Sequence, residues 1–207
     1  TRVSGIWQTV WLEEGPEGYI RDYKVTTDID NLTARIEFDI AGRGDVEVKV
    51  EGLPSEQPTI RTTDHVMEVK IPNAELWSPE NPKMYAARIE LASGDSVTIP
   101  FGFRTVEFRS DGFYLNGRKR MLKGVCRHQD VGGKGWATNI EDEKADLALI
   151  REMGADAVRT AHYPQSDSFY SLLDRGGFVA WCEVPLLNGV THSKAFVENL
   201  KTQYREM

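Results

Sequence analysis

Cysteine is scarce in this 207-residue sequence: Cys126 and Cys182 are the only two, so no disulfide framework holds the fold. Both fall on predicted strands with another strand between them. Neighbouring strands lie about 4.8 Å apart, which leaves non-adjacent thiols too far apart to bridge, and both are expected free. Basic charge is not in excess either. Lys and Arg number 25 against 32 Asp and Glu, a formal net charge of -7, whereas nucleic acid demands a concentrated basic face. The cluster Arg118-Lys119-Arg120 is short and fits a solvated turn. No apolar run approaches the roughly 20 residues that span a bilayer, so neither nucleic acid nor membrane is an expected partner. Trp7, Trp11, Glu13 and Glu14 interrupt any apolar stretch near the start, which does not read as a signal peptide. No glycine-rich phosphate loop is present, and no cofactor is expected. The remaining composition, 40% hydrophobic and 28% charged, is that of a folded globular chain.

What is present divides into two grammars. From Tyr19 to Phe108 the period is two: Tyr19–Val25, Leu32–Ile40, Val46–Val50, Val66–Ile71 and Ala87–Leu91 each alternate apolar with charged or polar residues. Turn residues separate them, as in Asp28–Asn31, Gly42–Asp45 and Ser93–Asp95. Short alternating strands at this spacing predict a β-sandwich of immunoglobulin type, without the Cys…Trp…Cys pattern of antibody domains. After Phe108 comes a hairpin with an Asn116-Gly117 turn, then strands at Met121–Cys126, Ala155–Thr160 and Phe178–Val184. Helices are predicted over Glu141–Met153, capped by Gly154, over Ser166–Arg175, and over Ser193–Met207. Strand and helix alternate as βα units of a parallel α/β structure. Three such units do not close a barrel of eight, so the sequence is expected to be part of a larger protein.

The chemistry collects at strand ends. The first parallel strand runs out into Cys126-Arg127-His128-Gln129-Asp130, the second into Arg159, His162 and Tyr163, and the third into Glu183. In an α/β barrel these positions converge on one face. Arginine and histidine can donate hydrogen bonds to sugar hydroxyls, Glu183 can accept them or tune a neighbour, and Trp136 or Tyr163 can lie against a sugar's apolar face. The candidate substrate-binding residues are therefore His128, Trp136, Arg159, His162, Tyr163 and Glu183. Two competing readings are weaker. A nucleophilic cysteine paired with His128 or His162 conflicts with the apolar strand setting of both thiols. A metal on His128, Asp130 and Glu183 lacks compact ligand spacing.

At these residues the chain resembles the family 2 glycoside hydrolases, which include β-galactosidases, β-glucuronidases and β-mannosidases. Ser4-Gly5-Ile6-Trp7-Gln8 is similar to the last strand of that family's sugar-binding jelly roll. Leu76-Trp77-Ser78-Pro79-Glu80-Asn81-Pro82 and Phe101-Gly102-Phe103-Arg104 are similar to marks of its immunoglobulin-like domain. Gly154 to Pro164, with Phe169-Tyr170 and Asp174, resembles the family signature on the barrel. The resemblance implies a β plus α/β multidomain chain. Residues 1–13 would be the last jelly-roll strand, 14–108 the immunoglobulin-like sandwich, and 109–207 the first three βα units of an incomplete (β/α)8 barrel. Gly124–Asp130 with Gly133–Trp136 leans towards the β-galactosidases, a stretch the glucuronidases largely share.

The implied activity is that of a retaining exo-β-glycosidase acting on terminal β-galactosides. Its partners would be a β-linked glycoside and the remainder of the enzyme chain, and a homo-oligomer is compatible with the sequence. The alternatives are a β-glucuronidase or β-mannosidase, or a non-catalytic sandwich module binding carbohydrate or protein. Asp156 and Cys126 stand where the family often has asparagine, and Cys182 where it has aspartate before Glu183. Leu187 and Gly189 occupy the places of a glutamate and a histidine that bind magnesium in some members, so no metal is expected. Neither catalytic glutamate of the family has a match here, and the 207-residue chain alone is expected to hydrolyse nothing.

Overall fold

The alternation along residues 19–101 resolves into two antiparallel sheets that face one another across an apolar core. The computed structural model describes residues 5–42, 46–51, 60–62, 65–186 and 188–207. Ser4, the turn residues Arg43 to Asp45, and Leu187 lie outside the described residues. Strands β1 (Tyr19–Asp28), β2 (Thr33–Ala41) and β5 (Val66–Lys70) form one sheet in the order β1-β2-β5. Strands β3 (Val46–Glu51), β4 (Ile60–Thr62), β6 (Tyr85–Leu91) and β7 (Ser96–Phe101) form the other in the order β4-β3-β6-β7. Antibody constant domains pair the fourth strand with the fifth. Here β4 pairs with β3 instead, giving three strands against four.

Register explains why the alternation was so clean. Ala34 and Ile36 pair with Val69 and Met67, so apolar side chains from both strands share the inner face. Arg35 pairs with Glu68 on the outer face, where the two ions lie 3.5 Å apart. Ile36, Ile71, Ile89 and Phe103 are fully enclosed, each contributing about 1.5–3 kcal/mol by leaving water. Tyr85, Phe101 and Phe103 pack ring to ring at 5.7–6.0 Å, and the Tyr85 hydroxyl accepts from the Glu75 amide at 2.8 Å. The Trp77 amide bonds the Phe103 carbonyl at 2.8 Å. Between those segments Gly102 is tightly enclosed, since a Cβ there would lie 3.1 Å from the Trp77 Cβ.

A small meander follows: β8 (Val106–Arg109), β9 (Gly112–Leu115) and β10 (Arg118–Arg120), in the order β10-β9-β8. Asn116 and Gly117 both take positive φ, 52° and 71°, as a two-residue hairpin turn of the primed type requires. The chain divides into two compact units. One is Trp11–Met121, and the other joins Leu122–Met207 to the segment up to Val10. Within the first unit the Asn116 side chain ties the meander to the sandwich, bonding the Thr105 amide and the Trp77 carbonyl, both at 3.0 Å. Residues 5–13, the described part of the segment 1–13, form no strand.

The second unit is parallel α/β. Strands β11 (Gly124–Arg127), β12 (Ala157–Thr160) and β13 (Val179–Cys182) lie side by side in that order. Helices α1 (Ile140–Glu152), α2 (Asp167–Gly176) and α3 (Lys194–Glu206) alternate with them. Asn139 opens α1 with a capping box closed by Asp142. Gly154, at φ 76°, ends it, with its amide on the Arg151 carbonyl and the Ala155 amide on Ile150. Ser166 and Ser193 cap α2 and α3 through the Phe169 and Phe196 amides. Val158, Leu147, Ile150, Phe169, Leu173 and Phe178 form the core under the helices. Met153, expected on the apolar side of α1, caps the helix C-terminus and is 72% exposed.

Candidate functional site

Period two sorts the parallel strands into two faces. Val125, Val158 and Ala180 share one row, as do Arg127, Thr160 and Cys182 two residues on. Val158 packs among the helix residues, so this is the helix-covered face. Cys126, Arg159 and Trp181 form the row on the opposite face. Continuing from β13, Glu183 falls on that opposite face as well, beside Arg159. The two arginines therefore serve different sides of one sheet.

Arg159 and Glu183 form a two-pronged ion pair. Nε donates to Oε1 at 2.6 Å and Nη2 to Oε2 at 3.1 Å, the fork geometry a guanidinium offers a carboxylate. The third prong, Nη1, reaches the Cys126 sulfur at 3.6 Å. These hydrogen bonds, chiefly Arg159's, with a smaller one from His162, hold the Glu183 carboxyl below the usual range. His162 Nδ1 lies 3.0 Å from Glu183 Oε2 and 3.2 Å from Arg159 Nη2. Arg159 Nη2 already donates to the carboxylate, and a carboxylate only accepts, so Nδ1 carries the His162 proton and donates to Glu183.

The Tyr163 hydroxyl accepts from the Gln129 amide at 3.4 Å and lies 3.2 Å from His128 Nδ1, within hydrogen-bond distance. The two imidazoles stand 5.9 Å apart, centroid to centroid, edge to face. Imidazole nitrogens can donate to or accept from hydroxyl groups.

Trp136 lies on the loop between β11 and α1. Its ring packs on Tyr163 at 4.6 Å and meets Trp7 edge-on at 6.0 Å. Its indole N–H donates to Asp130. The loop is fixed by a Val131–Gly135 bridge and by Lys134, whose Nζ lies 2.7 and 2.8 Å from the two Asp142 oxygens. Six candidates named from sequence, His128, Trp136, Arg159, His162, Tyr163 and Glu183, thus come together through direct contacts. Cys126 differs from expectation: it is exposed, not set among apolar groups, because its row also holds Arg159. Cys182 lies on the helix-covered face, where burial pushes its thiol up. Asp156 accepts from the Lys123 amide at 2.8 Å, a role that needs only a side-chain oxygen.

Arg127, Gln165 and Asp130 support the site although none was among the substrate-binding candidates, Asp130 having been weighed only as a metal ligand. Arg127, 5% exposed, bonds Asp146 of α1 from Nε at 2.9 Å and Gln165 Oε1 from Nη1 at 2.5 Å. Its Nη2, 2.9 Å from the same Asp146 oxygen, is not aligned to bond it. Its guanidinium stacks on the Phe169 ring at 4.0 Å. Gln165 in turn donates to the Tyr163 carbonyl at 3.4 Å, so Arg127 braces from behind the turn that presents His162 and Tyr163. Asp130 orients Trp136. The available signal was parity, which places Arg127 and Cys126 on opposite faces of β11.

The family models for "Glycosyl hydrolases family 2, TIM barrel domain" and "Glycosyl hydrolases family 2" match residues 106–206 and 18–104. The chain belongs to glycosyl hydrolases family 2. A putative β-glucuronidase of Formosa agariphila is 31% identical over 98% of this chain and 27% of its own length. A β-galactosidase of an Arthrobacter species is 33% identical over 94% of the chain and 19% of its own. Among solved structures, Faecalibacterium prausnitzii β-glucuronidase superposes with a TM-score of 0.74 at 29% identity, over 82% of this chain and 28% of that one. The matching proteins are mostly β-glucuronidases, with some β-galactosidases. The chain spans about a quarter of the length of the first two β-glucuronidases compared, 27% and 28%.

Proposed function

We propose that this chain is the sandwich and opening barrel region of a retaining β-glucuronidase, and that His128, Arg159, His162, Tyr163 and Glu183 hold the sugar. The observation that carries the reading is the predominance of β-glucuronidases among the proteins this chain matches. The sequence leaned towards β-galactosidases on Gly124–Asp130, a stretch both activities share, and that stretch does not separate them.

The site's own chemistry supports holding over cleaving. Retention of configuration needs two carboxyls about 5–5.5 Å apart, one acid/base and one nucleophile. Glu183 is committed to Arg159 and His162, and Asp130 to Trp136. The imidazoles present ring nitrogens able to bond hydroxyl groups, and Arg159 stays charged while fixing the Glu183 carboxylate beside His162. These groups can orient a sugar for carboxylates contributed from elsewhere in the protein.

The test is turnover by the whole protein of 4-nitrophenyl β-D-glucuronide against the matching β-D-galactoside. The reading expects kcat/KM to favour the glucuronide by at least a hundredfold. Equal or greater turnover of the galactoside would overturn it in favour of the second activity.

A further inference from the structure

The inward stripe of α1 consists of Glu143, Leu147 and Ile150, all buried and spaced as one helix face requires. Leu147 and Ile150 join Phe169 and Leu173 of α2 in the apolar core. Glu143 is a carboxylate where that period calls for an apolar side chain, and only 4% of it is exposed. Enclosing a carboxylate costs free energy unless hydrogen bonds satisfy its oxygens. Two hydroxyls do so: Ser166 donates to one oxygen, and Ser168 to the other at 2.7 Å. No basic side chain among the described residues pairs with it. A local rule broken in this way, in a chain that obeys it elsewhere, points to function.

Both serines lie at the start of α2. Ser166 is its cap, with Oγ accepting from the Phe169 amide at 3.2 Å. The two serine oxygens are 2.9 Å apart, close enough to bond each other if no carboxylate took their protons. The cap therefore stands without Glu143, and what the carboxylate adds is a tie between α1 and the first turn of α2. That tie lands where residues 161–165, which include His162 and Tyr163, enter the helix. The other end of this turn is fixed at β12, where the Thr160 hydroxyl donates to the Trp181 carbonyl at 3.2 Å. Helix α1 reaches the α2 end twice, from two carboxylates three residues apart on one face. Asp146 holds Arg127, which bonds Gln165, and Glu143 holds the next residue, Ser166.

We propose that Glu143 is a positioning residue: by pinning Ser166 and Ser168 it fixes how the turn presents His162 and Tyr163 to the sugar. The inference rests on the glycosidase reading above. An apolar side chain at 143 would fill the same stripe, and the serines would satisfy one another. Replacing a buried, hydrogen-bonded charge by a well-packed apolar group is often neutral or stabilising. Glu143 thus serves placement and not stability, and the two are separable by measurement.

The whole protein is assayed with 4-nitrophenyl β-D-glucuronide, in parallel with urea unfolding. Glu143→Leu should leave the urea midpoint unchanged or raise it. Its kcat/KM should fall about tenfold, because misplacing a substrate-holding group by about 1 Å can cost up to about a hundredfold. Glu143→Gln, which keeps the length and one acceptor oxygen, should recover most of that loss. In a His162→Ala/Tyr163→Ala background the Glu143→Leu change should cost about twofold or less, since the groups it positions are gone. Ser168→Ala leaves the α2 cap in place and removes one of the two ties. It should cost about threefold, again only while His162 and Tyr163 are present. Unchanged kcat/KM in both Glu143→Leu and Ser168→Ala, or a loss as large in the alanine background as in the native one, would overturn the proposal. If Glu143→Leu does not fold, Ser168→Ala decides alone by the same criteria. Preferential turnover of the matching β-D-galactoside would mean that the uronide reading has failed instead. The same variants, measured on the galactoside, then decide the role of Glu143.

Discussion

In the sandwich, charge obeys the pleat. Arg35 and Glu37 on β2, and Arg88 and Glu90 on β6, alternate with enclosed apolar residues and pair with one another at the surface. In the parallel sheet charge sits on both faces: Arg127 beneath the helices with Asp146 and Gln165, and Arg159 opposite with Glu183. Both regions bury apolar side chains from neighbouring strands, so the difference lies in what the polar groups are for. Charges that could be replaced by other soluble groups line the sandwich. Those in the βα units are placed by specific partners, and their replacement should be felt. A ranking of substitutions follows from this contrast.

The largest effect is expected at Arg127. Arg127→Met keeps much of the volume over Phe169 but strands Asp146 and Gln165 beside a buried apolar chain. Breaking one side of a buried pair costs about 3–5 kcal/mol. Asp146 is partly exposed, 32% of its side chain, which places the expectation near the lower end, about 3 kcal/mol. Urea unfolding followed by circular dichroism measures it. A loss under about 1 kcal/mol would mean that the buried arginine is no more committed than a surface one, and the contrast would collapse.

The middle of the ranking belongs to Glu183, and it carries a pH signature. Its carboxyl is held below the usual range by Arg159 first and His162 less. A group whose folded pKa is depressed contributes stability above its unfolded pKa and loses it as pH falls through the folded value. The native protein should therefore begin to lose this contribution as pH falls through the ordinary carboxylate range and lose the rest below it. Glu183→Gln should cost about 1–2 kcal/mol at neutral pH, since the pair is charge-assisted but partly solvated. It should also flatten that segment of the stability–pH curve. Parallel native and variant curves through the acid range would show that Glu183 is not the group responsible.

This contrast also decides what could be read from residues alone. Sandwich strands announce themselves because burial on one face imposes period two, as Ala34-Arg35-Ile36-Glu37-Phe38 shows. Arg159, His162, Tyr163 and Glu183 were legible because polar groups at the ends of apolar strands stand out against them. Arg127 did not stand out, since its partners lie 19 and 38 residues away and only the fold brings them to it. Cys126 was misjudged for a related reason. An apolar neighbour such as Val125 describes the other face of the strand, and the register with Arg159 sets the thiol's surroundings. The contacts of His128 with Tyr163 and of His162 with Glu183 join residues 35 and 21 positions apart, which no local spacing encodes.

The smallest effect is expected where the pleat is obeyed. Arg88 and Glu90 lie two residues apart on β6, 2.7 Å between Nε and Oε1, with side chains 42% and 40% exposed. Water solvates both ions when the pair is broken, and ordering two long side chains costs entropy that offsets the attraction. Arg88→Ala should therefore change stability by under about 1 kcal/mol and should weaken further in effect at high salt. Its aliphatic stem, opposite Thr98 on β7, contributes some packing, so Arg88→Gln separates charge from covered surface. Equal small losses in the two variants assign the effect to charge. A loss at Arg88→Gln as large as that at Arg127→Met would show that sandwich charges are specifically placed as well, leaving the fixed charge of the βα units without its distinction.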